Sequence, residues 1–452
     1  MSTHAVARRF ALPGAAMITA ASLGWLSASG AAWLLPLVLG VAGLLLLVLS
    51  ASVRAIAPYT IGVLLIIASS TTFLPGNDTV ISLGLRVVGI GFLVLSSFQK
   101  SSRTASFSFD RELNSAEIWS WLPWVIVSYL LYLLLSTAFH GQWIDFILYG
   151  GGVVLLVVAL VATAIAVPNQ VVAKGVIAAL VIVLALSVVY GLTVPSVGIA
   201  GTRLRGVTTN GNTLGFYAFL LGSLALIVVK NVRVRLVLFA LSVVVIVWTS
   251  SRASALALAI VVVCVFLSRR SIVVVLAGFG VIGAGVVAGV AWPRTFDVLG
   301  GLLRDNNSRT QTIDSAIEAF RSSPLIGIGM GNSPDEIASS PLRALAFAGI
   351  GGLIAVIVLW ISLLWFSRRG GIQTVGFAIA AIIHSLFEGW LLSPVGPLLL
   401  VFVLCWWVIV RHPSTLAMER HHRSGRELRT AIGAEIPATA QTDGNNAVGH
   451  RW

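Results

Sequence analysis

The stretch Gly201–Gly215 reads GTRLRGVTTNGNTLG and interrupts a sequence that otherwise consists mainly of long apolar runs. It places two arginines, Arg203 and Arg205, and two asparagines, Asn210 and Asn212, in one short polar connection. On the topology derived below, this connection lies on the outer face of a membrane, where short loops normally avoid positive charge. Arginines there indicate either an anionic partner such as a phosphate, which a guanidinium binds through paired hydrogen bonds, or contact with lipid head groups.

The composition is typical of a membrane protein with many spans. Of the 452 residues, 58% are hydrophobic and only 10% are charged, whereas a soluble domain carries about 25% charged residues. About fourteen stretches reach the length of roughly 20 apolar residues that a membrane-spanning helix needs. The expected fold is therefore all-α and polytopic, with about 14 transmembrane helices. Cys264 and Cys405 both fall in predicted spans, so neither a disulfide framework nor a metal motif is indicated.

Basic residues alternate with the predicted spans and give the orientation. Six basic clusters, beginning with Arg54, fall on every second connection. Arg8 and Arg9 before the first span and Arg411 after the last one place both termini in the cytoplasm. The longest polar stretch between spans, residues 293–341, is then an outer loop. Residues 1–411 form the predicted transmembrane domain, and residues 412–452 form a basic cytoplasmic tail whose polar composition predicts disorder.

Arginines on the predicted outer side are exceptions to this charge rule. Arg203 and Arg205 are followed by Arg252, which lies in TSSRAS at the mouth of the tenth predicted span. The outer loop and its end add Arg294, Arg304, Arg309, Arg321 and Arg343. Three separate outer connections thus present arginine at a helix mouth, which predicts one cationic pocket facing outward. Preorganised cations of this kind stabilise the charge that develops on a leaving phosphate.

The long outer loop contains a predicted helix. In SRTQTIDSAIEAF, Ser308 is followed three residues later by Gln311, a capping-box arrangement. Ile313, Ile317 and Phe320 are spaced to form one apolar face. A proline and three alternating glycines follow in SSPLIGIGMGN and predict tight turns, with direct contact to a phosphate as the alternative.

These segments resemble, in their order, the O-antigen ligase and O-antigen polymerase (Wzy-type) superfamily. RLRGVTTNGNTLG is similar to the family's Arg-x-x-Gly…Asn-Pro-Asn segment, with Gly211 where proline is usual. TSSRASALALAI resembles its Ser-Arg segment at a helix mouth, and SRTQTIDSAIEAFRSSPLIGIGMGN resembles its outer-loop pattern of arginine, proline and Gly-x-Gly. The resemblance runs from Gly201 to Leu353.

The resemblance implies a GT-C-like membrane glycosyltransferase that needs no metal or other cofactor and works at the outer face of the cytoplasmic membrane. Its donor would be a glycan on undecaprenyl pyrophosphate, and its acceptor a sugar hydroxyl. By position, Arg203, Arg252 and Arg309 would bind the pyrophosphate, with Arg205 as a weaker addition. Asn210 and Asn212 would contact substrate.

The expected function is polymerisation of a cell-surface polysaccharide, because the span count and the late position of the long loop favour a polymerase over a ligase. A ligase-like transferase with another acceptor, a lipid-glycan flippase or transporter, and a non-catalytic assembly partner are the alternatives. The expected partners are the lipid-linked glycan, the bilayer, and a chain-length regulator or flippase, with no nucleic acid.

One departure from the family concerns the group that activates the acceptor. The family places a His-Asn pair just before the helix that here reads LRALAFAGIGGL, but those positions hold Ala338 and Ser339. Asp335 and Glu336 lie close by and have the chemistry of a general base, or they are solvated loop charges.

Two further charged positions are candidates for function. His384 and Glu388 are four residues apart near the outer end of the thirteenth predicted span, and therefore on one helix face. They are candidate catalytic residues or a tie between helices, because charged groups inside a bundle need partners. Arg86 also lies within a predicted span, where pairing with a carboxylate of another span is expected.

Overall fold

A computed structural model describes residues 56–72, 79–98, 108–269, 309–332, 337–393 and 396–412. Its described residues are helical apart from short connections and one two-stranded hairpin. The all-α prediction is therefore confirmed for these residues. The first, second and eleventh predicted spans and the polar tail lie outside them.

The first part of the described chain leads into the hairpin. Its long helices are α1 (Ala57–Ala68), α2 (Thr79–Phe98), α3 (Ser108–Ser136), α4 (Trp143–Ala166) and α5 (Asn169–Thr193), with a 3-10 turn, Ala138–His140, between α3 and α4. A one-turn helix, α6 (Pro195–Gly198), precedes strands β1 (Ile199–Ala200) and β2 (Arg203–Leu204). The strands are antiparallel, with Ala200 opposite Arg203.

The second part begins directly after the hairpin connection. Its helices are α7 (Gly211–Val228), α8 (Val232–Thr249), α9 (Arg252–Arg269), α10 (Arg309–Ser322), α11 (Ser340–Ser367), α12 (Ile372–Phe387) and α13 (Pro397–Val410). Short 3-10 turns lie at Met330–Asn332, Arg368–Gly370 and Gly389–Leu392.

Each predicted span within the described residues corresponds to one apolar helix. Six of these helices, α3, α4, α5, α7, α8 and α11, are long and apolar enough to cross a membrane, and α1, α2, α9, α12 and α13 are shorter apolar helices. The described residues therefore form a polytopic membrane protein. The total of about 14 spans stays a prediction, since three of them lie outside the described residues.

Helix α7 is the centre of the described bundle, because it packs against α5, α8, α9 and α13. Its sequence is apolar on all sides, as expected of a helix without a solvated face. Asn210 starts the helix by accepting a hydrogen bond from the backbone N–H of Asn212 at 2.9 Å. The polar stretch Gly201–Gly215 thus leads directly into α7, which is the most buried of the six long apolar helices.

Small residues bring α9 into close contact with α7. A Cβ atom added at Gly215 would lie 2.5 Å from Cβ of Ser251 and 3.1 Å from Oγ of Ser254. Seven residues further along, a Cβ at Gly222 would lie 2.9 Å from Leu258 Cδ1. The start of α9, which carries Arg252, is therefore fixed beside the start of α7.

The glycine-rich segment after α10 packs against a break in α11. Gly349, at φ 61° and ψ −150°, interrupts α11, and a Cβ there would lie 2.5 Å from the carbonyl carbon of Leu325. Ile328 and Gly329 donate their backbone N–H groups to α11 carbonyls at 2.9 and 3.1 Å. Since these N–H groups are occupied within the protein, the glycines serve tight turning and close packing rather than a phosphate contact.

Helix α10 begins and ends within one residue of its predicted bounds, but its predicted apolar face is wrong. The residues that α10 buries against α11 are Ala316 and Ala319, with 1% and 8% of their surface exposed, whereas Ile313 and Ile317 are 39% and 38% exposed. Alanine allows the two helices to approach closely, so the smaller apolar side chains form the contact face.

We expect Gly215→Ala to destabilise the protein by about 1–3 kcal/mol, because the added methyl group overpacks the contact between α7 and α9. Gly150→Ala in α4 is the matched control, since a Cβ there meets nothing within 4 Å. Both changes gain the same helix propensity, so thermal unfolding of the purified variants isolates the clash. Equal melting temperatures for the two variants would contradict this packing.

Candidate active site

Arg203 in β2 joins the end of one helix to the start of another. Its Nε donates to the backbone carbonyl of Thr249, the last residue of α8, at 2.8 Å. Its Nη2 donates to Oδ1 of Asn212, in the first turn of α7, at 2.7 Å. The last carbonyls of a helix lack partners within the helix and carry partial negative charge, so a cation is stabilised there.

The side chain of Asn212 extends this contact to a carboxylate. Its Nδ2 donates to Oε1 of Glu388, the residue that follows α12, at 2.9 Å. Asn212 therefore uses its amide oxygen for Arg203 and its amide nitrogen for Glu388. We name this arrangement, Arg203–Asn212–Glu388, the polar chain. It connects residues that lie 185 positions apart in the sequence.

The start of α11 holds the backbone around Glu388. Ser340 Oγ donates to the Glu388 carbonyl at 2.8 Å, and Arg343 Nη1 donates to the Gly389 carbonyl at 3.3 Å. A Cβ at Gly389 would lie 3.0 Å from the carbonyl oxygen of Ala338. The α12–α13 connection is thus fixed from both sides, by the polar chain and by α11.

Arg252 lies in the connection next to Arg203. It is the first residue of α9 and is exposed. Thr249, whose carbonyl accepts the hydrogen bond from Arg203, lies three positions before it. Between them, Ser250 adopts a left-handed conformation, with φ 51°, that caps α8 and turns the chain into α9. Two of the three predicted arginine connections are therefore adjacent.

Arg205 is held differently from Arg203. Its Nε donates to the carbonyl of Val197 in α6 at 2.5 Å, and its backbone N–H donates to Gly198 at 3.0 Å. These contacts direct it to the turn before the hairpin, whereas Arg203 contacts α7 and α8. The structure thus places the two neighbouring arginines against different elements.

Of the other predicted substrate-binding and acid–base residues, the structure shows a side-chain contact for Asn210 but does not describe the side chains of Arg309, Asp335 and Glu336. The side-chain oxygen of Asn210 caps α7, which gives this residue a structural duty. Arg309 is the first residue of α10, but its side chain lies outside what the structure describes, as do Asp335 and Glu336 entirely. The functional roles of these four residues stay predictions.

His384 is buried, with 1% of its surface exposed, and both ring nitrogens have partners. Trp390 Nε1–H donates to Nδ1 at 3.1 Å, so the ring proton must be on Nε2, which lies 3.1 Å from Ser254 Oγ. Because Nδ1 accepts a hydrogen bond, the ring is neutral. His384 therefore ties α12 to α9 and to the connection after Glu388, and its catalytic role stays a prediction.

Arg86 in α2 contacts the end of α1. Its Nε donates to Ser69 Oγ at 2.9 Å and its Nη2 to Ser82 Oγ at 2.7 Å. The expected carboxylate partner stays a prediction, and no sequence pattern indicated these two serines as partners. The end of α1 also contacts the polar stretch, because the backbone N–H of Thr72 donates to the carbonyl of Val207 at 3.0 Å.

Comparison with protein families identifies part of this site. Residues 237–349 match the family described as O-Antigen ligase (Wzy_C). The match begins within α8, includes Arg252 and α10, and ends at the break in α11. It therefore confirms the resemblance for residues 237–349, whereas the Gly201–Gly215 stretch lies before the match. This region is an O-antigen ligase family domain, and the family has ligase- or polymerase-type activity in surface polysaccharide biosynthesis. A search of curated proteins gave no match to the chain.

We expect ¹⁵N NMR of histidine-labelled protein to show His384 as the neutral tautomer with its proton on Nε2. The indole N–H of Trp390 enforces this state, so Trp390→Phe should release it and allow the other tautomer. The wild-type signal, assigned by its loss in His384→Gln, would contradict the geometry if it showed a protonated Nδ1.

Proposed function

We propose that this protein is a cell-surface polysaccharide polymerase, which transfers a glycan from an undecaprenyl-pyrophosphate donor to a sugar hydroxyl at the outer face of the cytoplasmic membrane. The observation that carries this proposal is the polar chain: it joins an arginine and a carboxylate through one asparagine, and its arginine bonds the end of α8, which lies within the family match. A ligase-like transfer to a different acceptor would use the same groups.

In the proposed reaction, Arg203 and Arg252 bind the pyrophosphate of the donor. The acceptor oxygen attacks the anomeric carbon, the bond from that carbon to the pyrophosphate oxygen breaks, and the electron pair leaves with the pyrophosphate. Cations held in place before the reaction stabilise this charge without reorganisation. Arg203 suits this role because two of its hydrogen bonds go to neutral oxygens, of Thr249 and Asn212, which orient the guanidinium.

Glu388 is the proposed general base. It takes the proton of the acceptor hydroxyl as the new glycosidic bond forms. Its carboxylate is oriented by Asn212, and its neighbour Gly389 packs against Ala338. Since Ala338 stands where the resemblance expects a histidine, a carboxylate in this neighbourhood is a plausible substitute for the missing imidazole.

An apolar groove supports a lipid-linked donor. Its walls come from α3, α4, α11 and α13, and its lining includes Leu391 in the 3-10 turn directly after Glu388. Tyr129 fixes that turn by donating its hydroxyl to the carbonyl of Leu391 at 2.6 Å. A groove lined by leucine, valine and aromatic side chains fits an isoprenoid chain, whose binding is driven by burial of apolar surface.

We expect Arg203→Ala and Arg252→Ala each to lower the rate of glycan transfer by about 10²–10³-fold, as for loss of a preorganised donor to a leaving anion. The measurement is polymer formation from a lipid-linked oligosaccharide by protein reconstituted in liposomes. Lys230→Ala, at the opposite end of α7 from Arg203, is the control and should keep full activity. If glycan crosses the bilayer without formation of a new glycosidic bond, the protein is a transporter and the proposal is wrong.

We expect Glu388→Gln to lower the transfer rate by about 10²–10⁴-fold, because the amide oxygen keeps the hydrogen bond from Asn212 but the side chain cannot take a proton. The double variant Glu388→Gln with Ala338→His should recover part of this activity, with a pH dependence set by the histidine. Thermal unfolding checks that the variants are folded. Full activity of Glu388→Gln would exclude Glu388 as the base and turn attention to Asp335 and Glu336.

A further inference from the structure

A second group of polar atoms lies between α3 and α11, and the proposed reaction does not use it. Tyr132 and Ser136 lie one turn apart near the end of α3 and are fully buried, each with 0% of its surface exposed. Tyr129, one turn before Tyr132, bonds the carbonyl of Leu391, and Arg343 bonds the carbonyl of Gly389 in the same connection. The Tyr132 and Ser136 hydroxyl groups lie close to each other. By hydrogen-bond geometry, however, Tyr132 Oη, Ser136 Oγ and Arg343 Nε are all buried without a partner among the described residues.

Most buried hydroxyl groups of the described residues do have partners, although that of Tyr217 does not. Buried serines elsewhere, including Ser128 earlier in α3 and Ser223 in α7, donate to the carbonyl four residues earlier at 2.7 and 2.8 Å, but Ser136 does not. Tyr129, one turn before Tyr132, bonds a carbonyl. Because an unsatisfied buried polar group costs about 1–3 kcal/mol, three such groups at one place indicate that they bond something other than the protein.

The hydrogen bonds of Arg343 leave one edge of its guanidinium unused. Only Nη1 bonds the protein among the described residues, through the Gly389 carbonyl at 3.3 Å and Ser393 Oγ at 3.5 Å. The edge formed by Nε and Nη2 is the one that binds both oxygens of a carboxylate in parallel. Phe347, whose ring centroid lies 6.0 Å from Cζ, supports the guanidinium from one side.

We propose that Arg343, Tyr132 and Ser136 form a second binding site, which takes the carboxylate of an acidic sugar in the acceptor glycan. A single cation with two neutral hydroxyl groups matches a singly charged carboxylate better than a pyrophosphate, which carries more charge. The position also fits the acceptor. Arg343 bonds Gly389 on the α11 side of the connection, whereas the Glu388 carboxylate reaches Asn212 on the α7 side.

This assignment rests on the proposed function only in naming the acceptor, and a direct binding measurement tests it separately. The protein in lipid nanodiscs is titrated with a disaccharide that contains glucuronate, with its neutral glucose counterpart, and with inorganic pyrophosphate. We expect the acidic disaccharide to bind, and Arg343→Ala to weaken its binding about 10- to 100-fold, as for loss of hydrogen bonds to a charged group. Arg343→Lys should retain part of the binding, and Tyr132→Phe and Ser136→Ala should each weaken it several-fold.

The outcomes separate this site from the pyrophosphate site. Arg203→Ala should weaken pyrophosphate binding and leave binding of the acidic disaccharide unchanged. The proposal is overturned if the neutral disaccharide binds as tightly as the acidic one, or if Arg343→Ala weakens pyrophosphate as Arg203→Ala does. It is also overturned if Tyr132→Phe and Ser136→Ala leave binding intact, since the three atoms would then bond only buried water. Because Tyr132→Phe removes a single oxygen, a folding defect in Arg343→Ala would not obscure the result.

Discussion

The hydrogen bond from Arg203 to Asn212 is the contact on which the rest of the site depends. It fixes the guanidinium at the start of α7, beside the end of α8 that Arg203 also bonds, and it leaves the amide nitrogen of Asn212 to hold Glu388. A hydrogen bond to a charged group contributes about 1.5–3 kcal/mol. The polar chain therefore joins the stretch before α7 to the α12–α13 connection, and the bond from Arg203 to Thr249 adds the α8–α9 connection. A cation and a carboxylate are held at opposite ends of one asparagine.

Close packing of small residues makes this contact possible. Gly215 lets α9 approach α7, so that the end of α8 and the start of α9 reach the polar stretch. On the other side, the break at Gly349 receives the segment after α10 and orients the start of α11, which clamps Glu388 and Gly389. His384, locked between Trp390 and Ser254, completes the frame. The close packing at Gly215 and Gly349 thus positions the helix ends that carry the charged groups.

The sequence predicted the elements better than their contacts. Span bounds followed from hydropathy, and the nearness of Arg203 to Arg252 followed from the rule that outer loops avoid arginine. The resemblance ranked Arg205 below Arg203, but no sequence pattern indicated its carbonyl partner, which belongs to a local turn in α6. The neutral state of His384 depends on Trp390 and Ser254, and the alanine face of α10 depends on how closely α11 approaches. Contacts of this kind are set by tertiary packing, which no periodicity encodes.

A donor side with Arg203 and an acceptor side with Arg343 would flank the Glu388–Gly389 connection, so that the two substrates meet at the proposed base. The most direct test is a cryo-EM structure of the protein in nanodiscs with undecaprenyl pyrophosphate. The account predicts pyrophosphate oxygens within hydrogen-bond distance of the Arg203 guanidinium, on the side of the connection where Glu388 bonds Asn212. Pyrophosphate bound elsewhere, with Arg203 out of reach, would contradict it.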